Sequence, residues 1–76
     1  MKRADVKRRL AEGVLFDTQI LVNPANTCEW IVFFKKNAGR SFLLVDENDQ
    51  VETFASLDRL ISELRSLGIK RTEVRL

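Results

Sequence analysis

Five of the first ten residues are basic: Lys2, Arg3, Lys7, Arg8 and Arg9. On a short helix, such side chains can neutralise phosphates along a nucleic-acid backbone, so the chemistry they offer is electrostatic contact rather than bond making. A second basic group, Lys35, Lys36 and Arg40, brackets a short turn. The N-terminal helix lacks the Asn, Gln and Ser expected beside Arg for reading base edges. These eight residues therefore point to phosphate and shape recognition, in DNA or RNA, without strong sequence preference. The competing reading is a terminal helix whose charges only keep it solvated.

Catalysis requires a constellation, and the sequence offers none. Histidine and tyrosine are absent, which removes the commonest acid-base group near neutral pH and the commonest zinc ligand. Cys28, without a histidine partner, is no activated nucleophile by the usual route, and no spacing matches a Gly-rich phosphate loop. Asp46, Glu47, Asp49 and Glu52 lie close in sequence but span a turn and its flank, whereas a calcium loop needs more ligands at regular intervals. They read as a solvated turn. No metal and no cofactor is expected, and the chain is not expected to be an enzyme.

The run Trp30-Ile31-Val32-Phe33-Phe34 is informative for another reason. On a strand, Trp30, Val32 and Phe34 point one way and Ile31 and Phe33 the other, so the strand is apolar on both faces. Phe42 with Leu44, and Leu43 with Val45, repeat this pattern nearby. Two helices in so short a chain leave part of a sheet uncovered, and an apolar patch of several hundred square ångströms calls for a partner. A homodimer is the expected remedy, with Trp30, Phe33 and Phe42 at or near the contact.

These residues need a scaffold, and 76 residues allow one domain with one modest core. The composition, 45% hydrophobic and 32% charged, is that of a globular protein. No apolar run is long enough to span a membrane. No apolar stretch follows the N-terminal charges, so a secretory leader is not expected, and the lone Cys28 suits a reducing cytoplasm. The net charge of +2 is unevenly spread along the chain. Residues 1–12 carry five basic and two acidic side chains, and the remainder carry eight and nine.

Asp5 is placed to cap a first helix over 5–12, docked through Val6 and Leu10 and ended by Gly13. Period-two alternation then predicts strands over 15–22, 28–36 and 40–46. Asn23-Pro24-Ala25-Asn26 and Asn37-Ala38-Gly39 read as turns between them, the latter with Gly39 at positive φ. Glu47-Asn48-Asp49 turns into a short strand over 50–54. A second helix over 56–67 carries the stripe Leu57, Leu60, Ile61, Leu64 and Leu67. Ser56 caps it, and Gly68 closes it in a Schellman motif that folds Ile69 back on Leu64. Residues 71–76 alternate again and, after a right-handed crossover, should lie parallel to the strand before the helix.

The expected fold is a single α+β domain. It has a short N-terminal helix, a mixed, mostly antiparallel sheet of four to five strands, and one longer helix packed on the sheet. The order helix, three strands, helix with a basic hairpin is similar to that of double-stranded-RNA-binding folds and of small toxins built on them. The likeness is one of element order. The chain departs from it in having no histidine and in starting its second helix with Ser56-Leu57-Asp58-Arg59. The functional expectation is a small, non-catalytic accessory or regulatory protein in the cytoplasm, homodimeric, contacting nucleic acid through its basic N-terminal helix. The alternative is a protein–protein interaction module that uses an apolar sheet face or edge.

Overall fold

A computed structural model describes residues 1–36 and 39–76. The elements run α1 (Arg3–Ala11), β1 (Asp17–Val22), β2 (Trp30–Lys35), β3 (Ser41–Leu43), α2 (Leu57–Leu67) and β4 (Glu73–Arg75). The strands form one sheet in the order β3-β2-β1-β4. β1 and β2 are antiparallel, with Thr18 opposite Phe34 and Ile20 opposite Val32. β3 joins β2 antiparallel, with Phe42 opposite Phe34. β4 runs parallel to β1, with Ile20 opposite Val74. The protein is thus an α+β domain with a mixed sheet of four strands.

The sheet has four strands because the expected strand over 50–54 changes neighbours partway. Val51 bridges Val45, whereas Phe54 bridges Trp30 across both backbone hydrogen bonds, at 2.7 and 2.9 Å. A segment that leaves the end of β3 for the start of β2 cannot keep a ladder with either. The turn before it is set by Asp46, whose carboxylate accepts from the backbone N–H groups of Asn48 and Gln50. The turn at Asn23 is likewise closed by its side chain accepting from the N–H of Ala25. The Asn37-Ala38 turn lies outside the described residues; Gly39 beside it has φ +78.

Helix α1 begins earlier than expected. Lys2 is the N-cap and Asp5 occupies the third helical position, where its carboxylate accepts from the Lys2 N–H at 3.3 Å. An ammonium cannot accept in return, so only half of a capping box forms. Lys2 is held extended by its bridge to Val45, and helix can begin directly behind it.

Helix α2 follows the expected plan closely. The Ser56 hydroxyl accepts from the Arg59 N–H, and Leu60, Leu64 and Leu67 are buried. At its end the N–H of Gly68 donates to the Arg65 carbonyl and that of Ile69 to the Leu64 carbonyl, the two bonds of a Schellman cap. Gly68 has φ +98, a region that L side chains rarely adopt. A methyl group there would stand 3.6 Å from Leu10 Cδ1, an ordinary contact. Gly68→Ala is therefore expected to lower stability by about 1 kcal/mol, through backbone strain and not crowding. Urea denaturation measures this.

Both helices lie on one side of the sheet. Val6 of α1 and Leu60, Leu64 and Leu67 of α2 pack with Ile20, Val32, Phe34, Leu44, Phe54 and Ile69 in a single core. The helices also run the same way: Arg3 meets Glu63 at 2.6 Å, and Leu10 lies beside Gly68 seven residues later along α1. Their C-termini therefore emerge at the same end of the molecule. This shared direction positions the site.

Candidate nucleic-acid interface

The eight basic residues singled out by sequence do not form one group. Lys2 and Arg3 lie at the end of the sheet where the helices begin, among carboxylates. Lys2 Nζ is 3.9 Å from Asp49 and 4.0 Å from Glu47. Arg3 makes a two-pronged contact with Glu52, at 2.7 and 2.9 Å, and one with Glu63. The Glu52 hydrogen bond raises the Arg3 pKa above its usual value, against the opposing effect of partial burial. A guanidinium held this way joins α1 to α2 and to the segment before α2. Three of its five N–H donors are engaged within the protein, so Arg3 acts as a structural clamp.

Five of the other six gather at the opposite end. Arg8 and Arg9 lie in the last turn of α1, Lys35 and Lys36 close β2, and Arg40 precedes β3. A surface depression of about 490 Å³ is lined by Gly13, Val14, Leu15, Lys36 and Arg40, so the exit of α1 and the β2–β3 turn adjoin. Lys7 stands at mid-helix on the exposed surface. The hairpin and the helix, separate in sequence, therefore present one surface.

Three further cations belong to this end and were not singled out in the sequence. Arg65 lies in the last turn of α2, and Lys70 and Arg71 follow its cap. All three line a depression of about 510 Å³ with Ile61, Leu64, Gly68, Ile69 and Thr72. Arg71 also reaches the start of β1, where the Thr72 hydroxyl donates to the Thr18 carbonyl at 3.2 Å. Because α1 and α2 are parallel, residues about sixty positions apart in the chain share one pole.

The result is a polarised molecule. At the pole where the helices end stand eight cations (Arg8, Arg9, Lys35, Lys36, Arg40, Arg65, Lys70, Arg71) and three carboxylates, Glu12, Asp17 and Glu73. At the other pole stand seven carboxylates (Glu29, Asp46, Glu47, Asp49, Glu52, Asp58, Glu63) and four cations, Lys2, Arg3, Arg59 and Arg75, while Asp5 and Lys7 lie between the poles on α1. Of the eight polar cations, only Arg8 has an ion-pair partner among the described residues, with Asp5 at 3.3 Å and Glu12 at 3.9 Å. Six-residue strands separate the poles by roughly 20 Å, more than twice the Debye length of about 8 Å in physiological salt. The two fields therefore do not cancel at the surface.

Part of this cationic pole has an internal explanation. Two helix C-termini carry partial negative charge, which favours Arg8, Arg9 and Arg65. That argument does not extend to Lys35, Lys36, Arg40, Lys70 or Arg71, which lie outside the helices. Arg9 is half-buried with its Nε–H enclosed and without a partner among the described residues. Such a group costs about 1–3 kcal/mol, so folding stability is a poor account of an arginine at this position.

The expected contact residues Trp30, Phe33 and Phe42 also separate. Trp30 packs against the core, and Phe42 shares the helix-covered face with Phe34. Only Phe33 faces the other way, with Leu21, Ile31 and Leu43. Cys28 is exposed. Among the described residues no three His, Cys, Asp or Glu side chains are grouped to hold a metal ion, and no helix is long and apolar enough to cross a membrane. Compared with protein-family models, curated proteins and solved structures, the chain has no match in any of the three.

Proposed function

We propose that the protein is a small, non-catalytic accessory factor of the cytoplasm that binds nucleic acid through its cationic pole. The observation that carries this reading is the convergence of eight cations from α1, the β2–β3 turn, the end of α2 and the approach to β4, seven of them without a carboxylate partner among the described residues. Cations in this density, projecting from several elements, suit a run of phosphates better than any single small anion. Phe16, just before β1, is engaged with the core in a tilted contact with Phe34, ring centroids 5.7 Å apart, and so offers no free stacking face. Duplex backbone is therefore favoured over unstacked single strands, which are gripped by base stacking. Arg3, three of whose donors are engaged with Glu52 and Glu63, is not part of the binding surface, and neither is Lys2.

Fluorescence anisotropy with labelled duplex DNA and duplex RNA over a salt series tests the reading. If five phosphates are neutralised, the logarithm of affinity should fall against the logarithm of salt with a slope of about −4.5, or roughly 500-fold per fourfold rise in salt. Absence of binding at low salt would overturn it. A second reading, a protein-contact module and homodimer, rests on a different observation: one face of the sheet has no helix on it.

A further inference from the structure

The uncovered sheet face carries Leu21, Ile31, Phe33 and Leu43, all outside the core that the helices cover. Pro24 and Leu76 stand at the rim of a shallow depression of about 460 Å³ on this face, and Leu76 is fully exposed. Ile31 is only 7% exposed, whereas Leu21, Phe33 and Leu43 are partly exposed. The apolar surface of this face is thus supplied by Leu21, Phe33 and Leu43, with Pro24 and Leu76 at its rim. We infer that this face docks a second copy of the same chain, sheet against sheet.

The charges around the patch decide the occupant. Lys35 lies opposite Asp17 on the paired strands β2 and β1, and Arg75 pairs with Glu73 at 3.0 Å on β4. Each flank is internally neutral and carries both signs. A polyanion would meet two carboxylates and an apolar centre here, with Lys35 alone of the eight polar cations at the margin. A strongly charged protein partner finds no opposing field. A second copy brings the same apolar centre and the same mixed flanks, which is the self-complementarity a two-fold contact requires.

Area sets the strength. Two six-residue and two three-residue strands at about 4.8 Å spacing and about 3.3 Å per residue give a face of roughly 300 Å² in projection. Two copies together bring roughly 600 Å² before side-chain relief is counted, below the 1,200–2,000 Å² of tight complexes. The expected dimer is therefore weak and concentration-dependent. Sheets stacked this way leave the helices on the outside and both cationic poles free.

Sedimentation equilibrium of the full chain at high salt provides the test, because high salt suppresses association through nucleic acid or through the charged poles. The wild type should show a monomer–dimer equilibrium that is little changed by salt. Phe33→Glu should shift the protein to monomer, while Lys7→Glu on the far surface leaves the dimer intact. Leu43→Ser is the second variant, should Phe33→Glu fail to fold, and circular dichroism reports folding for each. A wild type that stays monomeric at hundreds of micromolar overturns the inference. So does a folded Phe33→Glu or Leu43→Ser variant that dimerises like the wild type. Either result is independent of nucleic-acid binding by the opposite surface.

Discussion

Leu64→Ala is expected to lower the unfolding free energy by about 2–5 kcal/mol, the cost of lost burial plus the cavity left behind. Leu64 is 2% exposed and lies in the core with Ile20, Val32 and Phe34. Its carbonyl accepts from Ile69, and Ile69 itself is buried, so the side chain supports both the helix and its cap. A domain of this size has a total stability of roughly 5–15 kcal/mol, with small domains near the lower bound. The variant should therefore be partly unfolded at room temperature. A urea titration followed by circular dichroism should show a large fall in the midpoint with an unchanged slope. A loss below about 1 kcal/mol would place Leu64 outside the core.

The paired substitution Lys36→Glu with Arg40→Glu should produce the largest functional effect. Both residues lie in the turn region beside Gly13–Leu15, and neither has an ion-pair partner among the described residues, so their loss leaves no uncompensated carboxylate in the fold. Removing two phosphate contacts should make the salt slope shallower by about 1.8 and weaken binding near 0.1 M salt by roughly 60-fold, with the introduced carboxylates adding to this. The loss should be similar for different duplex sequences, because phosphate contacts position a protein without reading bases. Lys2→Glu serves as the contrast. It changes an N-terminal charge of the same kind, but at the acidic pole, and should alter affinity less than about threefold. Anisotropy titrations of the three proteins against the same duplex distinguish the pole from the terminus.

Local signals in the sequence were sufficient for α2. Ser56, the leucine stripe and Gly68 specify a start, a face and a stop within thirteen residues, and each acts on its immediate neighbours. The two-sided apolarity of β2 was legible for the same reason, since alternation is a property of the strand itself. The start of α1 was less legible: Asp5 serves a helix from the third position as well as from the cap, and the deciding contact is Lys2 with Val45, distant in the chain. The segment 50–54 alternates like a strand, yet its two ends pair with different partners. The site was the least legible part. Lys2 and Arg3 adjoin Lys7 in sequence but face Glu47, Asp49, Glu52 and Glu63, whereas Lys70 and Arg71 join Lys36 and Arg40 only because the two helices run parallel on one face of the sheet.

That parallel arrangement also gives the molecule a handle for rotation. Charge of opposite sign at two poles roughly 20 Å apart makes the molecule an electric dipole, and a dipole in the non-uniform field near a polyanion turns before it touches. In the proposed contact with nucleic acid the collision would be sorted in advance, with the cationic end arriving first and the acidic end trailing outward. Fewer encounters are wasted on wrong orientations, so the capture rate rises above that of an unsteered partner and falls again as salt weakens the torque. Orientation has a spatial consequence too. A chain held end-on stands its sheet edgewise to the surface, with its bare face turned sideways along the strand, where the next molecule to arrive would stand.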